Sequence, residues 1–239
     1  MSSTTVDKST DRVREMFGQI APKYDRMNHL LSMNVDRYWR WRTVRMAPAR
    51  GNSPILDLCT GTGDLAFAYW KATKGRVPIV AVDFCPEMLE VGRAKKTKFG
   101  INEEIEFTQA DAEALPFDDD RFQLACIAFG LRNVAHTDRG LSEMTRVVEP
   151  GGKVAVLEFS KPTLPPINWI YSWYFKNILP RIGQMLAKND SEAYDYLPAS
   201  VGGFPCGEAL AELMRSVGLR DVWYRPLTFG IATLYVGSK

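Results

Sequence analysis

Residues Gly61-Thr62-Gly63-Asp64-Leu65-Ala66 follow the spacing Gly-x-Gly-x-x-Gly/Ala, and Asp83 lies 20 residues beyond Gly63. Glycines at those positions let a ligand approach the backbone closely, and a carboxylate at that distance accepts hydrogen bonds from ribose hydroxyls. Asp111-Ala112 adds a second carboxylate beside a backbone N–H. That pair can recognise the exocyclic amine and a ring nitrogen of adenine; a plain loop acid is the competing reading. Histidine chemistry has little material, since the chain holds only His29 and His136. His136 sits in a polar turn before a helix and reads as a surface or capping residue, while His29 takes no assigned role.

Both a dinucleotide and an adenosyl-sulfonium compound carry a ribose, so the glycine pattern does not separate them. Charge points to one of the two. A dinucleotide sets its pyrophosphate on the helix N-terminus. Here Asp57 and Asp64 bracket the turn, and like charges about 5 Å apart repel by roughly 3 kcal/mol at an effective dielectric of about 20. The same carboxylates suit S-adenosylmethionine (SAM), which has no phosphate but carries an ammonium and a sulfonium. Asp57 is the candidate partner for that cationic end, directly or through water. Asp64 reads equally well as a first-turn residue favoured by the helix dipole.

These residues need a frame that brings them together. From Ile55 onward, short apolar runs alternate with helical stretches. Strands are predicted at Ile55–Cys59, Val77–Val82, Ile105–Gln109, Phe122–Phe129 and Lys153–Phe159, and helices at Leu65–Ala72, Pro86–Lys98 and Asp138–Val148. Such alternation implies right-handed crossovers and a doubly wound, mainly parallel α/β sheet, whose ligands sit beyond the carboxyl ends of the strands. A helix over Pro205–Val217 and strands Leu219–Tyr224 and Thr228–Val236 follow; the short link makes these two strands an antiparallel hairpin. The first fifty residues read as helices. Trp39, Thr43 and Met46 share one helical face, so the aromatic-basic run around them reads as packing before nucleic-acid stacking.

The 239 residues are 46% hydrophobic and 24% charged, enough for one large core. Thirty basic and 28 acidic residues leave a net charge of +2, which gives no electrostatic basis for nucleic acid. Cys59, Cys85, Cys126 and Cys206 form no Cys-x-x-Cys pair and have no histidine at metal-ligand spacing. They are expected to be reduced thiols of a cytoplasmic protein, and no metal is expected. No signal-peptide pattern or membrane-length apolar run occurs, so the chain is expected to be soluble, or at most to rest on a membrane surface.

Longer motifs narrow this further. Tyr24-Asp25-Arg26-Met27-Asn28-His29-Leu30-Leu31-Ser32, with Arg37, Trp39 and Arg40 after it, and Arg146-Val147-Val148-Glu149-Pro150-Gly151-Gly152, continuing to Leu157-Glu158-Phe159-Ser160-Lys161-Pro162, look like two signatures of the ubiquinone/menaquinone biosynthesis C-methyltransferase family. Blocks at 112–117, 129–134, 179–183 and 194–197 fit between and after them, and the resemblance runs from about Val13 to Lys239. It implies a Rossmann-like, seven-stranded SAM-dependent methyltransferase with a helical cap (1–50), a cofactor-binding core (51–160), a helical substrate or lid insertion (161–204) and a terminal helix with strands (205–239). It also implies Thr62, Asp83, Asp111 and Ala112 as cofactor-binding residues, joining Asp57, Gly61 and Gly63, and a prenylated quinol as substrate. Four positions depart from the family pattern: Asp36 and Tyr235 stand where histidine is usual, Asn34 where glycine is common, and Ala128 where serine is frequent.

Methylating a ring carbon requires a phenolate, which pushes electron density onto the ortho carbon. Arg132 and Asn133, directly after the fourth strand, are the candidates to stabilise that charge and orient a water that takes the proton, with Tyr24 bonding a quinol oxygen. A salt bridge across the loop is the competing role for Arg132. The aromatic stretch from Trp169 towards Leu186 suits a tail channel or a membrane interface, or plain core packing. Rival functions are an NAD-dependent oxidoreductase, a non-catalytic SAM-binding subunit, and methylation of RNA or another small molecule. Oligomeric state is not legible, and a homodimer stays open.

Overall fold

Strands buried on both faces read as continuous apolar runs, and Ile55–Leu58 (β1) is buried at every position. In the computed structural model, which describes residues 10–162, 165–174, 177, 196, 198 and 200–239, β1 is a central strand of a seven-stranded sheet. The other strands are Ile79–Asp83 (β2), Ile105–Gln109 (β3), Phe122–Ala128 (β4), Val148–Phe159 (β5), Arg220–Leu227 (β6) and Ala232–Ser238 (β7). Their order is β3-β2-β1-β4-β5-β7-β6. Strands β3, β2, β1, β4 and β5 run parallel, and β7 pairs antiparallel with both β5 and β6. The doubly wound sheet with its terminal antiparallel hairpin is as expected.

Helices Thr10–Ile20 (α1), Tyr24–Leu31 (α2) and Val35–Met46 (α3) precede the sheet. Pro22 falls where α1 gives way to a 3-10 turn over Ala21–Lys23. One face of the sheet is covered by α3, Asp64–Thr73 (α4) and Pro86–Lys98 (α5), with Trp39, Tyr69 and Leu89 in its core. The other face packs against Thr137–Val147 (α6) and Glu208–Ser216 (α8), through Leu141, Met144, Leu210 and Met214. Between them in the chain lies Ile167–Trp173 (α7). Of the 161–204 segment only part is described, and the motif blocks at 179–183 and, apart from Tyr196, 194–197 lie outside it.

Several boundaries differ from expectation, β7 beginning at Ala232 instead of Thr228 because a 3-10 turn takes Thr228–Gly230, and two more have local reasons. Strand β5 begins at Val148, because Pro150-Gly151-Gly152 makes a kink inside the strand instead of ending it. The β4–β5 register shifts there, and a Cβ on Gly152 would lie 2.8 Å from the Gln123 carbonyl oxygen, so only glycine fits. Strand β6 runs through Pro226 to Leu227, which an edge strand permits because one row of its N–H groups needs no partner.

The order of strands reverses around β1, flanked by β2 on one side and β4 on the other. In open sheets of this kind ligands collect at the carboxyl ends of the strands beside that reversal. Gly61, Asp83, Asp111 and Arg132 all follow strand ends there.

Candidate active site

The loop after β1 is built on left-handed backbone: Cys59, Gly61 and Gly63 have φ of 47°, 56° and 88°. Gly63 caps α4, and a Cβ on it would lie 2.8 Å from the Phe107 ring. Asp83 holds the loop from the side. Its carboxylate accepts the Gly61 N–H at 2.7 Å and the Cys85 N–H at 2.9 Å. Burial pushes its carboxyl up, against those hydrogen bonds. Asp83, Gly61, Asp111, Ala112 and Asn133 line one cleft. Asn133 brings a buried Oδ1 without a hydrogen-bond partner, an acceptor left for a ligand. The Asp111 carboxylate accepts the Glu113 N–H at 2.9 Å. Ala128, the departure from serine, also lines this cleft.

Asp57, Thr62 and Asp64 lie elsewhere. Asp57 is buried beneath the loop, where it accepts Thr60 Oγ1 at 2.6 Å and the Ala66 N–H at 3.1 Å. Thr62 is buried, donating to Asp25 of α2 and accepting Lys95 Nζ at 3.2 Å. Asp64 is not the uncompensated charge that the sequence suggests: Lys95 Nζ is 2.6 Å and Arg40 Nη2 3.7 Å from its carboxylate. Burial raises the Asp64 carboxyl, but Arg40 and Lys95 outweigh it and hold it below its ordinary value. The repulsion expected to exclude a pyrophosphate is therefore largely cancelled at Asp64.

Burial also pushes Asp57 up to about 7, against hydrogen bonds from Thr60 and Ala66. A carboxyl raised in the folded state binds a proton that the unfolded chain has already released. Between about pH 4 and pH 7 its contribution to stability therefore falls as pH rises, by up to about 4 kcal/mol, and stays flat above. Urea unfolding of the wild type and Asp57→Asn at pH 5 and pH 8 should show the wild type losing stability relative to the variant across that interval; parallel behaviour would place the Asp57 carboxyl in its ordinary range.

After β4 the chain turns sharply. Phe129 has φ 59°, and a Cβ on Gly130 would lie 2.4 Å from the Cys59 Cβ, so the loops after β1 and β4 touch. The 3-10 turn Leu131–Asn133 then buries Arg132. Its guanidinium is paired with Glu158 of β5 at 2.8 Å and stacks 5.2 Å from the Phe159 ring centre. The competing reading, a salt bridge, is thus present, yet Arg132 also lines a second chamber.

That chamber, the larger of the two spaces, is walled mainly by apolar side chains of α1, α2, α3 and α7 and the turn before β7. Ile167 and Tyr171 of α7, with Tyr174 just after it, line it, whereas Trp169 and Trp173 are exposed. Phe17, Tyr24 and Phe129 line both chamber and cleft, so the two spaces share a wall. Burial raises the Tyr24 phenol despite the Asn28 hydrogen bond and the nearby charges of Arg132 and Arg40. It remains a hydrogen-bond donor at neutral pH.

Sequence reasoning did not foresee the ionic cluster behind that wall. Asp36, the departure from histidine, is buried and binds His29 at 2.8 Å, Ser32 Oγ at 2.6 Å and Arg40 at 2.5 Å. His29 is thereby engaged in the cap and is not a chamber residue. His29, Asp36 and Asp64 offer atoms within 4.8 Å of one another, but Arg40 and Lys95 already stand on the carboxylates, which opposes a metal ion there. His136 is exposed at the N-cap position of α6, but its side chain makes no capping hydrogen bond and binds Glu113 instead, so of its two readings the surface one holds. Asn34 has φ 63°, the left-handed backbone that explains why glycine is common at that position. Tyr235 is buried and accepts the Gly207 N–H at 2.7 Å. One signal could have revealed Glu158: a lone acid inside the apolar run of β5 needs a buried partner.

The sequence model of the ubiE/COQ5 methyltransferase family matches residues 4–239. The chain belongs to the ubiE/COQ5 methyltransferase family. It is 45% identical over 229 residues to the ubiquinone/menaquinone biosynthesis C-methyltransferase UbiE of Geobacter sp. (strain M21), covering 96% of this chain and 97% of that one. It is 39% identical over 232 residues to the demethylmenaquinone methyltransferase of Bacteroides fragilis, covering 97% of this chain and 94% of that one. Among solved structures, a SAM-dependent methyltransferase of Thermotoga maritima superimposes with a TM-score of 0.66 at 16% identity, over 95% of this chain and 99% of that one. This last likeness bears on the fold alone. As a member of the ubiE/COQ5 family, the chain is a SAM-dependent C-methyltransferase. The cleft suits SAM on its own terms, with the carboxylates of Asp83, Asp111 and Glu113 and the open Asn133 acceptor for a ligand rich in hydroxyl, amine and ammonium donors.

Proposed function

We propose that this enzyme methylates a ring carbon of a prenylated quinol, with demethylmenaquinol as its substrate. The observation that carries this reading is the wall shared by the cleft that holds Asp83, Asp111 and Asn133 and the apolar chamber, with Arg132 and Tyr24 beside it. The names of the relatives support a quinone-pathway substrate, and they include both routes. Bound SAM supplies an electrophilic methyl group. In the cleft Asp83 accepts from the ribose, Asp111 and the Ala112 N–H hold adenine, and Asn133 takes an amine or hydroxyl. Gly61, Thr62 and Gly63 shape the loop, and Asp57 beneath it adds a negative field in its ionised form, drawing the cationic end of the donor.

On the chamber side, Arg132 stabilises the phenolate that activates the ring, and it orients the water that removes the proton. Tyr24 donates to a quinol oxygen and fixes the ring against the cleft. Alignment of this kind can itself lower a barrier by several kcal/mol. Asp83→Asn should weaken SAM binding by about 10- to 100-fold, the loss of charge-assisted hydrogen bonds worth about 1.5–3 kcal/mol. Isothermal titration with S-adenosylhomocysteine measures this, and an unchanged affinity would remove Asp83 from the ribose.

Labelled SAM offered with demethylmenaquinol and the 2-methoxy-6-polyprenyl-1,4-benzoquinol side by side tests the substrate. Label in the menaquinol ring is expected; label in the benzoquinol alone would move the enzyme to the ubiquinone route, and label in neither would leave a non-catalytic SAM-binding subunit. Among the described residues no helix is long and apolar enough to cross a membrane. Met33 and Phe229 line the chamber yet are 76% and 69% exposed, and with Trp169 and Trp173 they favour peripheral contact of the chamber mouth with a bilayer. Flotation with liposomes containing the prenylated quinol should carry the protein upward; protein left in the dense fraction would argue against that contact.

A further inference from the structure

Arg132 is held more firmly than a phenolate-binding residue strictly needs. Its Nη1 donates to Glu158 Oε1 at 2.8 Å and also to the Phe129 carbonyl oxygen, so both hydrogens on that nitrogen are committed. Its backbone N–H donates to Glu158 Oε2 at 3.2 Å, and Glu158 Oε1 also accepts the Phe159 N–H at 2.9 Å. Glu158 is 1% exposed and close to the carboxyl end of β5, beside β4. One carboxylate therefore fixes the side chain of Arg132, the start of its turn, and the strand end next to it.

What remains of the guanidinium is its Nε–Nη2 edge, the fork with which arginine grips a planar oxyanion. Nε is buried and makes no hydrogen bond to the protein. A buried N–H without an acceptor costs about 1–3 kcal/mol unless something else takes the bond. A pair built only for stability would spend its best edge on the carboxylate. Here the carboxylate occupies Nη1 and leaves the fork over, on a residue that lines the chamber.

We propose that Glu158 is the positioning residue that turns the Nε–Nη2 fork of Arg132 towards the substrate oxygen. This rests on the reading of Arg132 given above and adds the group that aims it. Glu158 touches neither reactant. Its carboxylate neutralises part of the buried charge and forbids the rotamers in which the fork would face the protein.

The test uses 1-naphthol, whose phenol and phenolate absorb at different wavelengths, bound to the full-length enzyme with S-adenosylhomocysteine. In the wild type the bound naphthol should ionise at lower pH than in water. Glu158→Gln replaces one acceptor oxygen with a donor amide and should return that ionisation towards its value in water by about 1–3 pH units, with S-adenosylhomocysteine affinity unchanged. Glu158→Asp keeps the charge one methylene farther away and should fall between the two. It also carries the test if the glutamine variant does not fold. Naphthol that ionises in both variants as readily as in the wild type, or more readily, overturns the proposal, because a merely structural Glu158 has no reason to move this spectrum. A wild-type enzyme that binds naphthol without lowering its pKa overturns the underlying role of Arg132, a separate failure seen before any variant is made.

Discussion

Replacing Arg132 with lysine is expected to lower kcat by about two to three orders of magnitude while donor affinity stays within about twofold, the effect seen when one donor to a developing oxyanion is lost. Lysine keeps the charge for Glu158 but has no planar fork, so a second bond to the phenolate disappears. Arg132→Ala should lose as much turnover and, in addition, leave a carboxylate that is 1% exposed without its cation. Breaking a buried pair from one side costs about 3–5 kcal/mol. Urea unfolding beside steady-state kinetics separates the two losses. Near-normal turnover by either variant would take Arg132 out of the mechanism, and a fall in kcat that tracked only the unfolded fraction would reduce it to a structural pair.

Trp39→Ala is the second large effect. Trp39 is 3% exposed, donates from Nε1 to Thr228 Oγ1 at 2.8 Å, and packs 5.7 Å and 5.9 Å from the rings of Phe129 and Phe159. It joins α3 of the cap to the two strand ends and the turn before β7. Its truncation should cost about 3–5 kcal/mol and raise KM for the quinol more than Kd for the donor, since it lines the chamber and not the cleft. Trp39→Phe keeps most of the packing and loses one hydrogen bond, about 1 kcal/mol. Equal stability of Trp39→Ala and wild type would mean that the cap stands without this anchor.

Local pattern made much of this legible. The alternation of apolar runs and helices is enough to place the strands along the chain and make them mainly parallel, and acids and glycines at strand ends bring Gly61, Asp83 and Asp111 to one edge of the sheet. Relations between distant side chains were not legible. Asp64 meets Lys95 from 31 positions away and Arg132 meets Glu158 from 26. No period or spacing encodes such pairs; they exist only once α4 and α5, or β4 and β5, lie side by side. The charge reasoning about the glycine turn misjudged Asp64 for that reason. Of the apolar chamber only the aromatic stretch from Trp169 gave a sign; its other walls come from the cap and the turn before β7, far apart in the chain.

The ionic cluster behind the shared wall carries a consequence for heredity. His29, Asp36 and Arg40 of the cap, Asp25 beside them, and Thr62, Asp64 and Lys95 of the core are joined by short polar contacts. None of the charged side chains among them can lose its charge without stranding a neighbour. Chimaeras that exchange the cap between two relatives will inherit a mismatched set of ions unless α4 and α5 travel with it.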